Sequence, residues 1–427
     1  MATSELLLRS ELLRLVTAGS VDDGKSTLIG RLLYDTKQIM ADQLEHIADA
    51  SRRRGSDYVD LALLTDGLRA EREQGITIDV AYRSFVTPRR RFQLADAPGH
   101  VQYTRNMVTG ASTAELAVIL VDARKGVTEQ TRRHSSVASL LRIPHVTYAV
   151  NKMDLVGFSA ERFAEIAADL DDLASRLDLG DVRVVPISAL RGDNVVERTG
   201  AMPWYDGPTL LEHLETVEIA GDRNLTDRRF PVQWVIRPRA AEHHDYRGYA
   251  GQVAGGVWRA GDEVVVLPSG VRSRVAAVET FDGPLAAAVP PQSVTIRLED
   301  ELDVARGDLL ADPERPPTVA RELVAHLCWM SERPLVPRAA LVVKHTTRSV
   351  RAHASELVSV LDVAALAHRP APGELALNDL AVVRLRLAEP LVVDPYERNP
   401  PTGSFILIDE ATNDTVAAGM VLEAAAA

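Results

Sequence analysis

Cysteine is almost absent from this chain of 427 residues, since Cys328 is its single cysteine. One thiol cannot form a disulfide within the chain, so the sequence excludes a disulfide-stapled secreted scaffold and favours a reducing, cytoplasmic setting. Cys328 lies in the apolar run 323–329, and this position predicts a small buried residue in a strand.

Long hydrophobic runs are also missing. No uncharged apolar stretch reaches the roughly 18 residues that a membrane span needs, and the leucines near the start are interrupted by Arg9, Glu11 and Arg14. We therefore expect no membrane association and no secretory signal peptide. Acidic residues outnumber basic ones by 60 to 48, which gives a formal net charge of −12. This balance disfavours a broad nucleic-acid surface but is compatible with a local basic patch.

The most informative segment is a glycine-rich loop that follows the apolar run 12–18. It matches the phosphate-loop pattern G-x-x-x-x-G-K-[ST]. Two glycines let successive N–H groups turn toward an anion, and the helix that follows presents its positive N-terminal end to it. The predicted phosphate contacts are Gly19, Ser20, Val21, Asp22, Asp23, Gly24, Lys25, Ser26 and Thr27.

A second apolar run, 92–95, ends in a carboxylate. The residues after the run are Asp96, Ala97, Pro98, Gly99 and His100. A carboxylate at this point can hold the coordination shell of Mg²⁺, and the Gly99 N–H can sense a γ-phosphate.

Two further runs predict the base-binding elements. The run 145–150 is followed by Asn151, Lys152, Met153 and Asp154, and the run 184–187 is followed by Ser188, Ala189 and Leu190. The Asp154 carboxylate can accept from guanine N1–H and from the 2-amino group, which adenine lacks. Backbone N–H groups of the second segment can meet guanine O6. Because ligands bind at the carboxyl ends of strands in open α/β sheets, the four segments predict a guanine nucleotide site.

The hydrophobic pattern changes along the chain. Apolar strands alternate with amphipathic helices from residue 12 to about 217, and short, regularly spaced strands follow from about 229. We predict an α/β phosphate-loop GTPase domain with a doubly wound, mainly parallel sheet at 1–218. Two β-barrels are predicted at 229–312 and 318–423. The long polar insertion 35–74 is a candidate switch.

These motifs, together with the segment 72–79 (REQGITID), resemble the translational GTPases of the elongation factor Tu class. Within that class the chain is similar to the GTP-hydrolysing large subunits of bacterial sulfate adenylyltransferase. Translation factors usually carry His where this loop has Ser20 and Asp23. The segments 247–251, 402–409 and 418–420 also resemble the sulfate-assimilation subunits, and the resemblance covers nearly the whole chain.

The resemblance implies a GTPase that assembles with a smaller catalytic subunit as a heterodimer or higher heteromer. That partner would bind ATP and sulfate, and GTP hydrolysis would drive formation of adenosine 5′-phosphosulfate and pyrophosphate. By position, Ser26 and Thr77 would coordinate Mg²⁺, and Asp96 would hold it through water. His100 would position the attacking water, with Lys25 and Gly99 beside the γ-phosphate.

The residues also support this division of labour, because the chain has one phosphate loop and no second ATP fingerprint. A fused adenylylsulfate kinase is therefore not expected. The main alternative is a translation elongation factor that binds aminoacyl-tRNA and the ribosome. A further alternative is a regulatory GTPase with an unrelated protein partner.

Overall fold

The computed structural model describes residues 12–53, 59, 61–64, 80–97, 104–238 and 246–426. The chain divides into two compact units. The described residues of 12–220 and 362–367 form the first unit, and those of 221–361 and 368–426 form the second. Among the described residues, no helix has the length and apolar character needed to cross a membrane.

A six-stranded sheet forms the centre of the first unit. Its strands are β1 (Leu12–Ala18), β2 (Ala81–Val86), β3 (Arg91–Asp96), β4 (Leu116–Asp122), β5 (His145–Asn151) and β6 (Asp181–Pro186). Their order is β2-β3-β1-β4-β5-β6, and every pair except β2–β3 is parallel. The order reverses at β1, so the loop after β1 lies at the topological switch point where such sheets bind ligands. The predicted doubly wound, mainly parallel sheet is confirmed.

Helices lie between these strands and after β6. They are α1 (Lys25–Asp35), α2 (Ala41–Arg53), α3 (Thr104–Ala111), α4 (Glu129–Leu140), α5 (Ala160–Arg176) and α6 (Leu210–Thr216), with 3₁₀ turns at Leu61–Leu64, Met153–Val156 and Ala220–Asp222. Thr128, Ser159 and Thr209 cap α4, α5 and α6 by accepting from a backbone N–H three residues on. Such caps satisfy N–H groups that a helix start leaves unpaired.

The described part of the 35–74 insertion packs on α1 through a glycine. A Cβ at Gly30 would lie 2.2 Å from the backbone oxygen of Leu61, closer than any side chain allows. Gly30 therefore lets the 3₁₀ turn Leu61–Leu64 approach the helix that begins at the phosphate loop. The helical pattern predicted for the insertion is observed in α2, and 65–79 lies outside the described residues.

The second unit begins with a closed barrel. Its strands are β7 (Arg229–Ile236), β8 (Gly248–Gln252), β9 (Glu263–Leu267), β10 (Val271–Thr280), the short β11 (Gly283–Pro284), β12 (Ser293–Leu298) and β13 (Leu309–Ala311). The order β10-β12-β8-β7-β13-β9 closes because β9 also pairs with β10. Phe230, Tyr249 and Trp258 fill its core.

A second closed barrel follows. Its strands are β14 (Thr318–Trp329), β15 (Ala340–His345), β16 (Arg348–Asp362), β17 (Ala367–Pro370), β18 (Leu380–Val393), β19 (Ser404–Asp409) and β20 (Thr415–Ala426), with the short helix α7 (Pro400–Gly403) before β19. The order β15-β19-β20-β14-β18-β16 closes through β15–β16. Cys328 is fully buried in β14. Two barrels after an α/β domain confirm the predicted fold class, and the exact domain boundaries stay a prediction.

A buried ion pair joins the two barrels. Arg229 donates from Nε and Nη2 to the two carboxylate oxygens of Asp394 at 2.8 and 2.9 Å, and neither side chain is more than 1% exposed. The Thr402 hydroxyl donates to the same carboxylate at 2.6 Å. A buried carboxylate is stable only when it is paired and hydrogen-bonded. This contact therefore gives Thr402, the first residue of the segment 402–409, a structural role at the junction.

Candidate functional site

The loops after β1, β3, β5 and β6 meet at one edge of the sheet, as the strand pattern predicts. Lys25 at the start of α1 forms an ion pair with Asp96 at the end of β3. Asn151 at the end of β5 contacts the first loop and the loop after β6. The structure therefore brings together residues from all four predicted segments.

The phosphate loop contains two residues with positive φ, Asp22 at 70° and Gly24 at 93°. Glycine adopts such values without steric cost, which explains why glycine stands at position 24. A Cβ at Gly24 would lie 2.4 Å from Nδ2 of Asn151. The loop is tightened by a hydrogen bond from the Ser20 N–H to Oδ2 of Asp23 at 2.9 Å. Val21 is exposed on the loop, and Ser26 and Thr27 are half-buried at the helix start.

Two buried polar atoms of this loop lack a hydrogen-bond partner among the described residues, the Ser20 Oγ and the Asp23 Oδ1. Burial raises the pKa of Asp23, although the Ser20 N–H and the charge of Lys125 act in the opposite direction. Unsatisfied buried polar atoms are expected where a ligand supplies the missing bonds. The Ser20 hydroxyl can donate to a ligand oxygen such as that of a nucleotide phosphate, whereas an ionised Asp23 carboxylate only accepts hydrogen bonds.

The predicted magnesium ligands are placed in part. Asp96 is buried beside Lys25, and Ser26 begins the same helix. Thr77 lies outside the described residues. Within the described ranges, no group of three or more His, Cys, Asp or Glu could hold a metal ion. The predicted set of two hydroxyls and one carboxylate is the oxygen donor type that suits Mg²⁺, which keeps several waters.

The base-binding elements are connected to the phosphate loop by side chains of the first base segment. Asn151 donates from Nδ2 to the Asp23 carbonyl oxygen at 2.8 Å and accepts from the Ala189 N–H at 2.9 Å. Lys152, at a φ of 64°, donates to the Asp22 carbonyl oxygen. These hydrogen bonds fix the position of the segment 151–154 relative to the phosphate loop.

The carboxylate that would select guanine is oriented by its neighbour. The Ser188 hydroxyl donates to Oδ1 of Asp154 at 2.7 Å, which leaves Oδ2 available for further hydrogen bonds. Met153, Ser188 and Ala189 are fully buried, whereas the Leu190 side chain is 43% exposed. The N–H groups of the segment 188–190 are predicted to meet guanine O6, and one of them, the Ala189 N–H, donates to Asn151 in this structure.

Sequence reasoning missed a charged cluster at the end of β4. Asp122 accepts from Arg124 at 2.6 Å and lies 3.0 Å from the Lys152 ammonium. Burial alone would raise the pKa of Asp122, but the hydrogen bonds from Arg124 and Lys152 outweigh it and hold the pKa well below its ordinary value. Lys125 lies 3.8 Å from Asp23. The rule that identified Asp96, a carboxylate closing a buried strand, would also have found Asp122.

Some predicted site residues cannot be placed. Ala97 is fully buried after β3, but Pro98, Gly99 and His100 lie outside the described residues. Their assigned roles, like that of Thr77, stay predictions.

Comparison with known proteins identifies relatives over most of the chain. The family model described as the elongation factor Tu GTP binding domain matches residues 10–219, and that described as GTP-eEF1A C-terminal domain-like matches 322–422. A bifunctional enzyme CysN/CysC of Mycobacterium tuberculosis is 58% identical, with 96% of this chain and 67% of that protein covered. Proteins called sulfate adenylyltransferase subunit 1 from Bacteroides fragilis and Alteromonas mediterranea are 53% and 52% identical. These two alignments cover 97% of this chain and 87% and 88% of the relatives.

Proposed function

The chain belongs to the sulfate adenylyltransferase subunit 1 family of elongation factor Tu-type GTPases, and we propose the function of this subunit for it. It is the GTPase subunit of a sulfate adenylyltransferase. Its hydrolysis of GTP drives adenylyl transfer from ATP to sulfate, in which a sulfate oxygen bonds to the α-phosphorus and pyrophosphate leaves. The products are adenosine 5′-phosphosulfate and pyrophosphate.

The observation that carries the GTPase assignment is the set of contacts around Asn151. Its side chain ties the phosphate loop to the loop that ends in Ala189, so the triphosphate and base elements form one preorganised site. Preorganisation lowers the ordering cost of binding. Because Asp154 is oriented by Ser188, its remaining oxygen can accept from the ring N1–H and 2-amino group that distinguish guanine from adenine.

We assign the hydrolysis roles as follows. Lys25 would neutralise charge on the β- and γ-phosphates, and the phosphate-loop N–H groups would hold their oxygens. His100 would orient the attacking water, and the Gly99 N–H would contact the γ-phosphate. Bound Mg²⁺ would supply charge neutralisation for the triphosphate. Ser26, Thr77 and Asp96 are the residues that would hold it.

Adenylyl transfer itself belongs to a partner in this proposal. The sequence carries a single phosphate loop and no second ATP fingerprint, so one bound nucleoside triphosphate is expected on this chain. A smaller catalytic subunit would bind ATP and sulfate, in a heterodimer or higher heteromer. The chain has a single cysteine and therefore no disulfide within it, which favours the reducing cytoplasm as its compartment.

Co-purification with the smaller catalytic subunit tests this function. We expect the isolated chain to bind GTP–Mg²⁺, hydrolyse it slowly and form no adenosine 5′-phosphosulfate. The complex should release pyrophosphate from ATP only when sulfate is added, and GTP should raise the yield. Robust adenosine 5′-phosphosulfate synthesis by the isolated chain would overturn the division of labour. Stimulation of its GTPase by ribosomes and aminoacyl-tRNA would instead identify a translation factor.

A further inference from the structure

Arg31 on α1 contacts the loop that follows β6, although the two segments are far apart in the sequence. Its Nε donates to the Ala189 carbonyl oxygen at 3.1 Å, and its Nη2 donates to the Leu190 carbonyl oxygen at 2.6 Å. A single guanidinium thus binds two of the three backbone carbonyl groups of the segment 188–190, which is predicted to meet guanine O6. None of the motifs in the sequence includes this arginine.

The Arg31 side chain is held in place by its surroundings. Nη1 lies 3.5 Å from a carboxylate oxygen of Asp35, one turn further along α1. The guanidinium carbon lies 5.8 Å from the centre of the Tyr34 ring. Gly192 has a φ of 87°, and a Cβ there would lie 3.6 Å from Cδ of Arg31. The side chain is therefore packed between α1 and the loop, which lowers the entropy cost of its hydrogen bonds.

The opposite side of the same loop is held by residues of the guanine site. The Ala189 N–H donates to Asn151, and Ser188 donates to Asp154. In a trans peptide the C=O and N–H groups point in opposite directions. An arginine that fixes the Ala189 carbonyl therefore directs the Leu190 N–H to the other side of the loop, away from Arg31.

We propose that Arg31 is a positioning residue for guanine recognition, which orients the Ala189–Leu190 peptide so that its N–H meets the O6 oxygen of the base. This inference rests on the proposed GTP site. Arg31 does not touch the nucleotide and acts through the loop. Its contribution is specific to nucleotides that carry an oxygen at C6.

The test compares three nucleotides by titration calorimetry with the full chain and Mg²⁺. GTP and inosine triphosphate carry O6, whereas 2-aminopurine riboside triphosphate does not. Arg31→Ala should weaken the binding of GTP and of inosine triphosphate to a similar degree. The expected loss of affinity is about tenfold, as for one misplaced hydrogen bond. It should leave the 2-aminopurine nucleotide within about twofold of wild type.

Arg31→Lys keeps the charge beside Asp35 but lacks the planar fork that reaches two carbonyl oxygens, so it should show the same selectivity with a smaller loss. It decides the question if the alanine variant does not fold. Arg198→Ala is the matched control, because Arg198 also donates to a loop carbonyl, that of Tyr205 at 2.9 Å. It should change none of the affinities.

Two results overturn the role of Arg31 while leaving the GTP site intact. One is an equal loss of affinity for all three nucleotides in the Arg31 variants, and the other is no loss of affinity for any of them. In both cases the wild-type protein still binds GTP more tightly than ATP. ATP is titrated into the wild-type protein as a further control. Wild-type protein that binds GTP no better than ATP would contradict the guanine site itself, and the inference would fall with it.

Discussion

The side-chain amide of Asn151 donates to the backbone carbonyl of Asp23 at 2.8 Å, which places the base-binding segment directly on the phosphate loop. The two residues are 128 positions apart in sequence. Since the same side chain also accepts from the Ala189 N–H, one asparagine connects three of the four nucleotide-binding segments.

Replacing this asparagine should therefore weaken nucleotide binding without a change in base preference. Asn151→Asp keeps the acceptor for Ala189 but places a carboxylate oxygen against the Asp23 carbonyl, where two acceptors repel. We expect GTP affinity to fall by about 1–3 kcal/mol, the cost of an unpaired buried polar group. Fluorescent-nucleotide titration measures it. Wild-type affinity in the variant would mean that the hydrogen bond from Asn151 to the Asp23 carbonyl has no role in binding.

Base preference should depend on Asp154. Asp154→Asn places an amide donor opposite guanine N1–H, where the wild type has an acceptor. The affinity for GTP should therefore fall by about 2–4 kcal/mol, and the affinity for xanthosine triphosphate should rise. Ser188→Ala is the milder comparison, because it keeps the Asp154 carboxylate. It removes the hydrogen bond that orients Asp154 and a longer one that Ser188 accepts from the Arg191 N–H at 3.3 Å. Competition binding with both nucleotides checks this. Unchanged GTP affinity in Asp154→Asn would refute the assignment.

Hydrolysis should depend on His100, which stays a prediction from the sequence. His100→Ala should retain GTP binding but hydrolyse it about a hundredfold more slowly in the complex, as expected for loss of a group that positions water. Single-turnover phosphate release separates the two effects. A variant that hydrolyses GTP at the wild-type rate would make His100 a packing residue.

Stability should fall in mild acid because of His134 on α4, which is 3% exposed and has no partner at Nδ1 among the described residues. Burial, with the nearby charges of Lys25 and Arg133, lowers its pKa to about 4 from an ordinary value of 6.5. Below pH 6.5 the unfolded chain therefore takes up a proton that the folded chain does not. The stabilisation is complete above pH 6.5 and is lost as the pH falls toward 4.

Urea unfolding between pH 7 and 4.5 measures this dependence. His134→Gln should flatten the pH dependence of the free energy of unfolding by up to about 3 kcal/mol. His368→Gln replaces an exposed histidine and should leave it unchanged. Equal pH slopes in wild type and His134→Gln would contradict the account of this residue.

The sequence predicts the parts of the fold and of the site that depend on local patterns, and it does not predict contacts that only tertiary packing creates. Asp96 and Asn151 were predictable because each closes a buried strand, and the carboxyl ends of parallel strands must lie together. Arg31 was not, because nothing in the helical period of α1 indicates which distant carbonyl a surface arginine will reach. His134 lies in the polar stretch 129–136, and only tertiary packing buries it.

The barrels show the same limit. Alternation and turn residues predicted short strands from residue 229 onward, but closure depends on the pairings β9–β10 and β15–β16, which periodicity does not encode. The ion pair between Arg229 and Asp394 likewise joins residues whose proximity only the folded chain reveals.

The most direct test of the proposed function is the yield of adenosine 5′-phosphosulfate from the complex with radiolabelled sulfate and ATP. It is measured with GTP, with a non-hydrolysable GTP analogue and without guanine nucleotide, for wild type and Lys25→Ala. If GTP hydrolysis on this chain drives the transfer, GTP should raise the wild-type yield well above the level reached without it. The analogue should not raise it, and Lys25→Ala should not respond to GTP. The same yield with the analogue, or with no guanine nucleotide, would contradict the account.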